Sequence, residues 1–357
     1  MTLNLLFSNG KTFNQSNLEN QIVDFQDRAF HYGDGVFETL RIHHGEIPNW
    51  KFHQQRLLKA QAQLKLPLDE FLEYWPEFVK SHLSKIEAGC AKLIISRGIS
   101  PRGYKIPDSA TINWWLKVSD LPEQSLSLKQ TNKQLIVCQH PLSRQPVLAG
   151  LKHLNRLDQV MARAEWGNQE AFDDGIMLNL DGDVIECTMS NIFWLENNQV
   201  YTPDLNLEGV DGCVRRWLIQ HLSVTSAPLK IIKSVKLQRL LSADAVFISN
   251  SLIGIQSVEN IAGHKTPLSD VVKELADDDS AYRSLTASWF SHSPLKEIMK
   301  QIAKQKANLI ITTDHGTINV NKPSKVIGDR NVSTNLRYKQ GRNLDYQKSD
   351  VFEIANP

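Results

Sequence analysis

At 357 residues and 41% apolar composition, the chain is long enough to bury a sizeable core, and its length points to two or more domains. Its 40 lysines and arginines against 39 aspartates and glutamates leave a net charge of +1, so no global field recruits nucleic acid or an anionic membrane, and a small molecule or a protein is the expected partner. No stretch approaches the ~20 apolar residues of a membrane-spanning helix, and the first residues carry no basic leader. Cys90, Cys138, Cys187 and Cys213 show no C-x-x-C spacing, which fits reduced thiols in a cytoplasmic chain better than disulfides or a zinc site.

In chain order, residues 1–116 mix strand-like runs, "VFETLRI" and "AKLIISRG", with the helix-like "FHQQRLLKAQAQL". A polar stretch around 119–134 suits a linker, and "LIVCQH" opens a second block. There "GIMLNLDGDVIECTMSNIFWLENNQVYTP" alternates apolar and polar residues around Asp181-Gly182 and Asn197-Asn198, both good hairpin turn pairs, and predicts a β-meander. "GVDGCVRRWLIQHL" places Val214, Trp217, Leu218 and Leu222 at helical spacing, and "DAVFISNS" reads as a strand. From about 276 the character shifts through the acidic "ADDDSAYRS", and residues 280–357 hold 12 Lys/Arg against 6 Asp/Glu. That segment predicts a helix, "PLKEIMKQIAKQK", with Leu295, Ile298, Met299 and Ile302 on one face, then a strand "NLIITT" ending in Asp314-His315.

The lysine most open to chemistry is Lys152, in "GLKHLNRLDQVMARAEW". Asn155 reads as a helix N-cap, Asp158 stands three residues on, and Leu154, Leu157, Val160, Met161 and Ala164 form an apolar stripe, so Lys152 lies just before a helix. An ammonium near the positive end of a helix dipole is disfavoured, which lowers its pKa and fits it for work as a nucleophile and base. Taken alone, a solvated surface lysine would read the same way.

"RAFHYGDGVFETLRIHHGEIP", "FHQQRL", "ISRGISPRGY", "KHLNRLDQV", "IECTMSNIFW", "YTP…GVDGCVRRW" and "FISNSLIGI" follow one another in the order and at roughly the spacing of the class IV, fold-type IV pyridoxal-phosphate enzymes. The chain resembles that family over residues 1 to about 275, and within it the aminodeoxychorismate lyases. The resemblance implies an α+β chain with the two-domain fold of the D-amino-acid aminotransferase-like enzymes: a small α/β domain over 1–120 and a larger cofactor-binding domain over 128–275. It also implies pyridoxal 5'-phosphate as cofactor and a homodimer.

The same resemblance assigns roles residue by residue. Lys152 matches the lysine that holds the cofactor, and Glu186 matches the carboxylate that keeps the pyridine nitrogen protonated so that the ring can accept electrons. Arg56, Val210, Asp211, Asn250 and Ser251 match the phosphate side, where a cation and a helix start are suited to an anion. Arg97, Arg102 and Tyr104, in "SRGISPRGY", are positioned to receive a dicarboxylate such as aminodeoxychorismate, although an exposed basic turn would look alike. His31, Tyr32 and Glu38 are expected near the pocket, and Gly33 and Gly35 at a tight turn. The implied reaction removes pyruvate from aminodeoxychorismate to leave 4-aminobenzoate, a folate precursor. The alternative within the family is an aminotransferase for branched-chain or D-amino acids.

Residues 280–357 fall outside that resemblance. "LIITTDHGTINVNKPSKVIGDRNVSTNLRYKQGRNLDY" resembles the end of a PglZ-type domain of the alkaline-phosphatase superfamily, a partial α/β segment in which Asp314 and His315 match ligands of a divalent metal. Two ligands fall short of the three a catalytic zinc takes, so the expectation is an appended fragment without a metal. A metal-dependent phosphoesterase or binding module is the remoter alternative.

Overall fold

Strand alternation and paired turns organise the chain in a computed structural model that describes residues 4–9, 11–13, 24–100, 102–122, 132–167, 171–222, 229–269, 271–272 and 275. The helix and strand expected after residue 290, the PglZ-like segment, and the candidates Asp314 and His315 lie outside the described residues.

The first sheet draws on β1 (Asn4–Ser8), β2 (Lys11–Phe13), β3 (Gly35–His43), β4 (Ala88–Ser96) and β5 (Asn113–Ser119), in the order β2-β1-β5-β4-β3, antiparallel throughout. In β3 the period of two sends Val36, Glu38, Leu40 and Ile42 to the buried face, each 2% exposed or less. Three of those are worth ~1.5–3 kcal/mol apiece by burial; the fourth is a carboxylate. Before β3, the short helix α1 (Arg28–Tyr32) is capped by the Asp27 side chain, which accepts from the Ala29 amide at 2.8 Å, and ends at Gly33 with φ of 60°. That left-handed turn costs a glycine little.

Two helices cover the sheet. α2 (Trp50–Leu64) buries Phe52, His53, Arg56, Leu57 and Ala60, so its inward face mixes apolar residues with two polar ones. α3 (Asp69–His82) carries Pro76 in its interior, a residue that removes one helical hydrogen bond and hides the helix from pattern reading. Aromatic packing offsets the loss: Phe71, Trp75 and Phe78 are all buried, and Phe78 meets Trp114 of β5 edge-to-face at 5.1 Å.

The second sheet has nine strands among the described residues: β6 (Lys133–Val137), β7 (Asp174–Leu178), β8 (Val184–Cys187), β9 (Asn191–Glu196), β10 (Gln199–Pro203), β11 (Lys230–Ile232), β12 (Ala245–Asn250), β13 (Gly254–Ile261) and β14 (His264–Lys265). Their order is β11-β10-β9-β12-β13-β6-β7-β8, with β14 on β13. The predicted turns fall where expected, with φ of 73° at Gly182, 50° at Asn197 and 62° at Asn198. The predicted helix is α5 (Cys213–Leu222), with Leu218 fully buried and Val214, Trp217 and Leu222 packed beside the stacked Phe193 and Phe247 rings, 4.8 Å apart. The short α6 (Leu237–Leu241) precedes β12.

The helix after Lys152, α4, runs Leu157–Ala164, starting later than the capping pattern predicts. Asn155 does not cap it: the cap position is Arg156, and the Asn155 amide instead donates to the Gly33 carbonyl at 3.2 Å. Nor is the apolar stripe core, since Leu157, Val160 and Met161 are 75%, 57% and 53% exposed while Ala162 and Trp166 fill the interior. All four cysteines are free thiols. Among the described residues no helix is long and apolar enough to cross a membrane.

Candidate active site

Lys152 sits on an irregular segment between β6 and α4 that is bonded on both sides. Its carbonyl accepts from the Phe37 amide at 2.8 Å and the Leu154 amide donates to Gly35 at 3.1 Å, both on β3. On the other side the Gly150 amide donates to Gly209 at 2.8 Å, and the Asp211 amide to Gly150 at 3.2 Å. The lysine is therefore held between the first sheet and the loop that opens α5. Nζ lies 4.6 Å from the centre of the Phe37 ring. Burial, and then the nearby Arg56 and Arg156 guanidinium groups, lower the amine to about 8, against the pull of Glu38 and Glu186.

Glu186 stands on β8, a strand buried on both faces, and is 3% exposed. Burial raises its carboxyl to about 7, while the Val210 amide, which donates to Oε2 at 2.8 Å, and the Arg156 and Lys152 cations work the other way. Such a group changes charge in response to what binds beside it.

Arg56, on the inward face of α2, donates from Nε to Glu38 Oε1 at 2.8 Å, from Nη2 to Glu38 Oε2, and from Nη1 to the Asp211 carbonyl at 2.9 Å. The loop at 209–212 is pinned by Asn191, which donates to the Val210 carbonyl at 2.8 Å and accepts from the Gly212 amide at 3.1 Å. A Cβ on Gly212 would lie 2.1 Å from that Asn191 oxygen, so only glycine allows the approach. The Val210 and Asp211 amides both point to protein acceptors, while their loop closes on Arg56. Asn250, at the end of β12, donates to Ser190 at 3.2 Å and accepts from the Leu252 and Ile253 amides; Ser251 follows it at partial exposure.

The structure thus brings Lys152, Glu186, Arg56, Val210 and Asp211 together. His31, Tyr32, Arg97 and Tyr104 gather instead around α1. Arg97 is 2% exposed and committed: it donates to both oxygens of Asp34, at 2.8 and 3.0 Å, and to the Lys65 and Leu64 carbonyls. Arg102 is exposed and Tyr104 is 85% exposed. Tyr32 accepts from the Gly103 amide at 3.3 Å and lies 5.3 Å from the Tyr104 ring, which fixes the loop beyond β4 to α1. His31 is exposed, its Nε2 at 2.6 Å from the Phe25 carbonyl.

Pattern reading did not single out Arg156, whose guanidinium is anchored by the His153 and Leu151 carbonyls at 2.7 and 3.0 Å. Burial lowers it to about 10 despite Glu186, with Arg56 adding to the fall. Its place four residues after Lys152 was the available signal. The donor set fits pyridoxal phosphate: three cations, Arg56, Lys152 and Arg156, are drawn into the interior against Glu38 and Glu186, an accumulation that an anionic phosphate completes.

Residues 35–261 match the family model for class IV amino-transferases. The chain is 35% identical over 240 residues to an aminodeoxychorismate lyase of Vibrio harveyi, covering 67% of this chain and 88% of that one. It is 25% identical over 251 residues to a D-alanine aminotransferase of Listeria monocytogenes, covering 69% and 84% respectively. The crystal structure of 4-amino-4-deoxychorismate lyase from Pseudomonas aeruginosa superposes with a TM-score of 0.69 at 33% identity, over 76% of this chain and 97% of that one. With that match and this fold, the chain belongs to the class IV aminotransferase family, as a fold-type IV enzyme that uses pyridoxal phosphate.

Proposed function

We propose that the chain is a 4-amino-4-deoxychorismate lyase, which splits its substrate into 4-aminobenzoate and pyruvate. The 35% identity to the V. harveyi lyase, over 88% of that protein, carries the reading. Pyridoxal phosphate, held by the residues of this site, would supply an aldehyde for the substrate amine and a ring able to accept electrons. Lys152 Nζ takes the proton from C4, and an amine at about 8 is free in roughly a tenth of molecules at pH 7. Loss of that proton and breakage of the C3–O bond aromatise the ring, and the departing enolpyruvate takes up a proton to become pyruvate. Glu186 would pair with the pyridine nitrogen, and Arg56, with Asn250 and Ser251, would hold the phosphate. Arg102, Tyr104 and Arg156 receive the substrate carboxylates; Arg97 is committed to Asp34 and the end of α2, and Arg28, which donates to Ser100 and to the Gly103, Tyr104 and Lys105 carbonyls, braces the loop that carries the first two.

The proposal extends to a division into domains near 120–128, an appended fragment over 280–357, a cytoplasmic location, and a homodimer. The exposed Phe25, Phe30, Leu157, Val160 and Met161 support the last. Purified protein given aminodeoxychorismate alone should release pyruvate, and Lys152→Ala should lose both this activity and the visible absorbance of the lysine-bound cofactor. The likeness to the L. monocytogenes D-alanine aminotransferase favours a second reading, transamination. Glutamate formed from 2-oxoglutarate and an amino acid, with no pyruvate from aminodeoxychorismate, would establish it in place of the first.

A further inference from the structure

Glu38 occupies an inward position of β3 between Val36 and Leu40, opposite the apolar Leu93 of β4, and it is 1% exposed. A carboxylate survives there only if it is paired. Arg56 takes both of its oxygens, and His53, one turn earlier on α2, adds its Nδ1 at 2.7 Å to Oε2. Burial would raise the Glu38 carboxyl, but Arg56 and then His53 hold it down at about 2. Burial likewise opposes charge on His53, which the Cys213 sulfur and Glu38 together raise to about 9. The Trp50 ring stacks over His53 at 6.3 Å.

Glu38, His53 and Cys213 place an oxygen, a nitrogen and a sulfur within 4.8 Å of one another, a spacing that a metal would accept. The guanidinium of Arg56 already supplies the positive charge at that carboxylate, so the cluster is built around an arginine. Cys213 is the first residue of α5, and the cluster therefore ties β3 and α2 to the loop at 209–212. With Nε and Nη2 on Glu38 and Nη1 on the Asp211 carbonyl, the guanidinium plane is fixed and its remaining N–H groups are left for an anion.

We propose that Glu38 and His53 are positioning residues that set the Arg56 guanidinium for the cofactor's phosphate, and so determine the preference for the phosphorylated over the unphosphorylated aldehyde. This rests on the assignment of Arg56 to the phosphate. An arginine free to rotate would lose part of the phosphate interaction and nothing of the contacts to the ring.

The test is equilibrium dialysis of the full-length, cofactor-depleted protein against pyridoxal 5'-phosphate and, separately, pyridoxal. Glu38→Gln should weaken binding of the phosphorylated form by ~10-fold or more, the loss of one charge-assisted bond, and leave pyridoxal within ~2-fold. His53→Gln should act in the same direction by ~3-fold or more. Glu38→Asp should restore part of the preference. Equal weakening of both ligands, or an unchanged preference in Glu38→Gln, overturns the proposal. Should Glu38→Gln not fold, His53→Gln decides by the same ratio. Arg56→Met separates the two layers. If it abolishes the preference while Glu38→Gln keeps it, the positioning claim fails alone; if it too keeps the preference, the phosphate assignment of Arg56 fails with it.

Discussion

Replacing Arg156 by methionine removes a partly buried cation from the neighbourhood of Lys152 at little change in volume. In the unaltered chain the Lys152 amine lies at about 8 against an ordinary 10.5, a gap of about 3 kcal/mol. At pH 7 an ordinary lysine is free in about one molecule in three thousand, so the surroundings enrich the free amine by roughly 300-fold. Burial accounts for the largest share, Arg56 for the next, and Arg156 adds to both while Glu38 and Glu186 oppose them. Without Arg156 the midpoint should climb by roughly half a pH unit to one unit. Trace acetylation of the cofactor-depleted protein between pH 6 and 11, read by mass spectrometry of the Lys152 peptide, measures it directly. The folded state binds fewer protons than the unfolded one between about 8 and 10.5, so stability rises with pH through that window and the cost of burying the ammonium is fully present below it. A midpoint near 10.5 in the unaltered protein, or no movement in Arg156→Met, would refute this electrostatic account.

Glu186 carries the opposite sign: with its folded pKa at about 7 against 4.5, the cofactor-depleted protein should lose about 3 kcal/mol of stability as pH rises from 4.5 to 7. Glu186→Gln should flatten that slope in pH-dependent melting and lower the turnover of the loaded enzyme ~100-fold or more. Gly212→Ala forces Asn191 away from the 2.1 Å position, breaking two hydrogen bonds at a cost of about 2 kcal/mol; a lower melting temperature and faster cofactor loss on dialysis should follow. Arg97→Met should destabilise the fold by about 2 kcal/mol through lost charge-assisted hydrogen bonds, since Arg28 still pairs with the partly buried Asp34, whereas Arg102→Met should leave melting unchanged and raise KM ~10-fold; the reverse pattern would return Arg97 to the substrate.

The parts of the fold legible in the sequence were those where local period and turn chemistry agree with the final packing. The β3 strand, the α2 helix and the Asp181-Gly182 and Asn197-Asn198 turns are of this kind. α3 was hidden because Pro76 argues locally against a helix that Phe71, Trp75 and Phe78 stabilise through contacts distant in sequence. The stripe of Leu157, Val160 and Met161 has helical spacing, but spacing fixes which residues share a face and not whether that face is covered. Motif likeness pointed to Lys152, Glu186 and Arg56, three residues that the fold brings together. It was silent on what Arg97 touches, since Asp34 and the Leu64 and Lys65 carbonyls claim that guanidinium only once β4 and the end of α2 have met. His53 and Cys213 meet Glu38 across three elements, a juxtaposition that no local pattern encodes.

The backbone around Lys152 is tethered to β3 on one side and to the loop at 209–212 on the other, so the peptide there has no slack to give. In the proposed reaction, every excursion of the amine, between holding a carbonyl carbon and reaching for a proton, falls to the torsions of a four-carbon stem. A stiff anchor with a limber arm lets one residue serve two stations in turn without loosening the wall in which it is set.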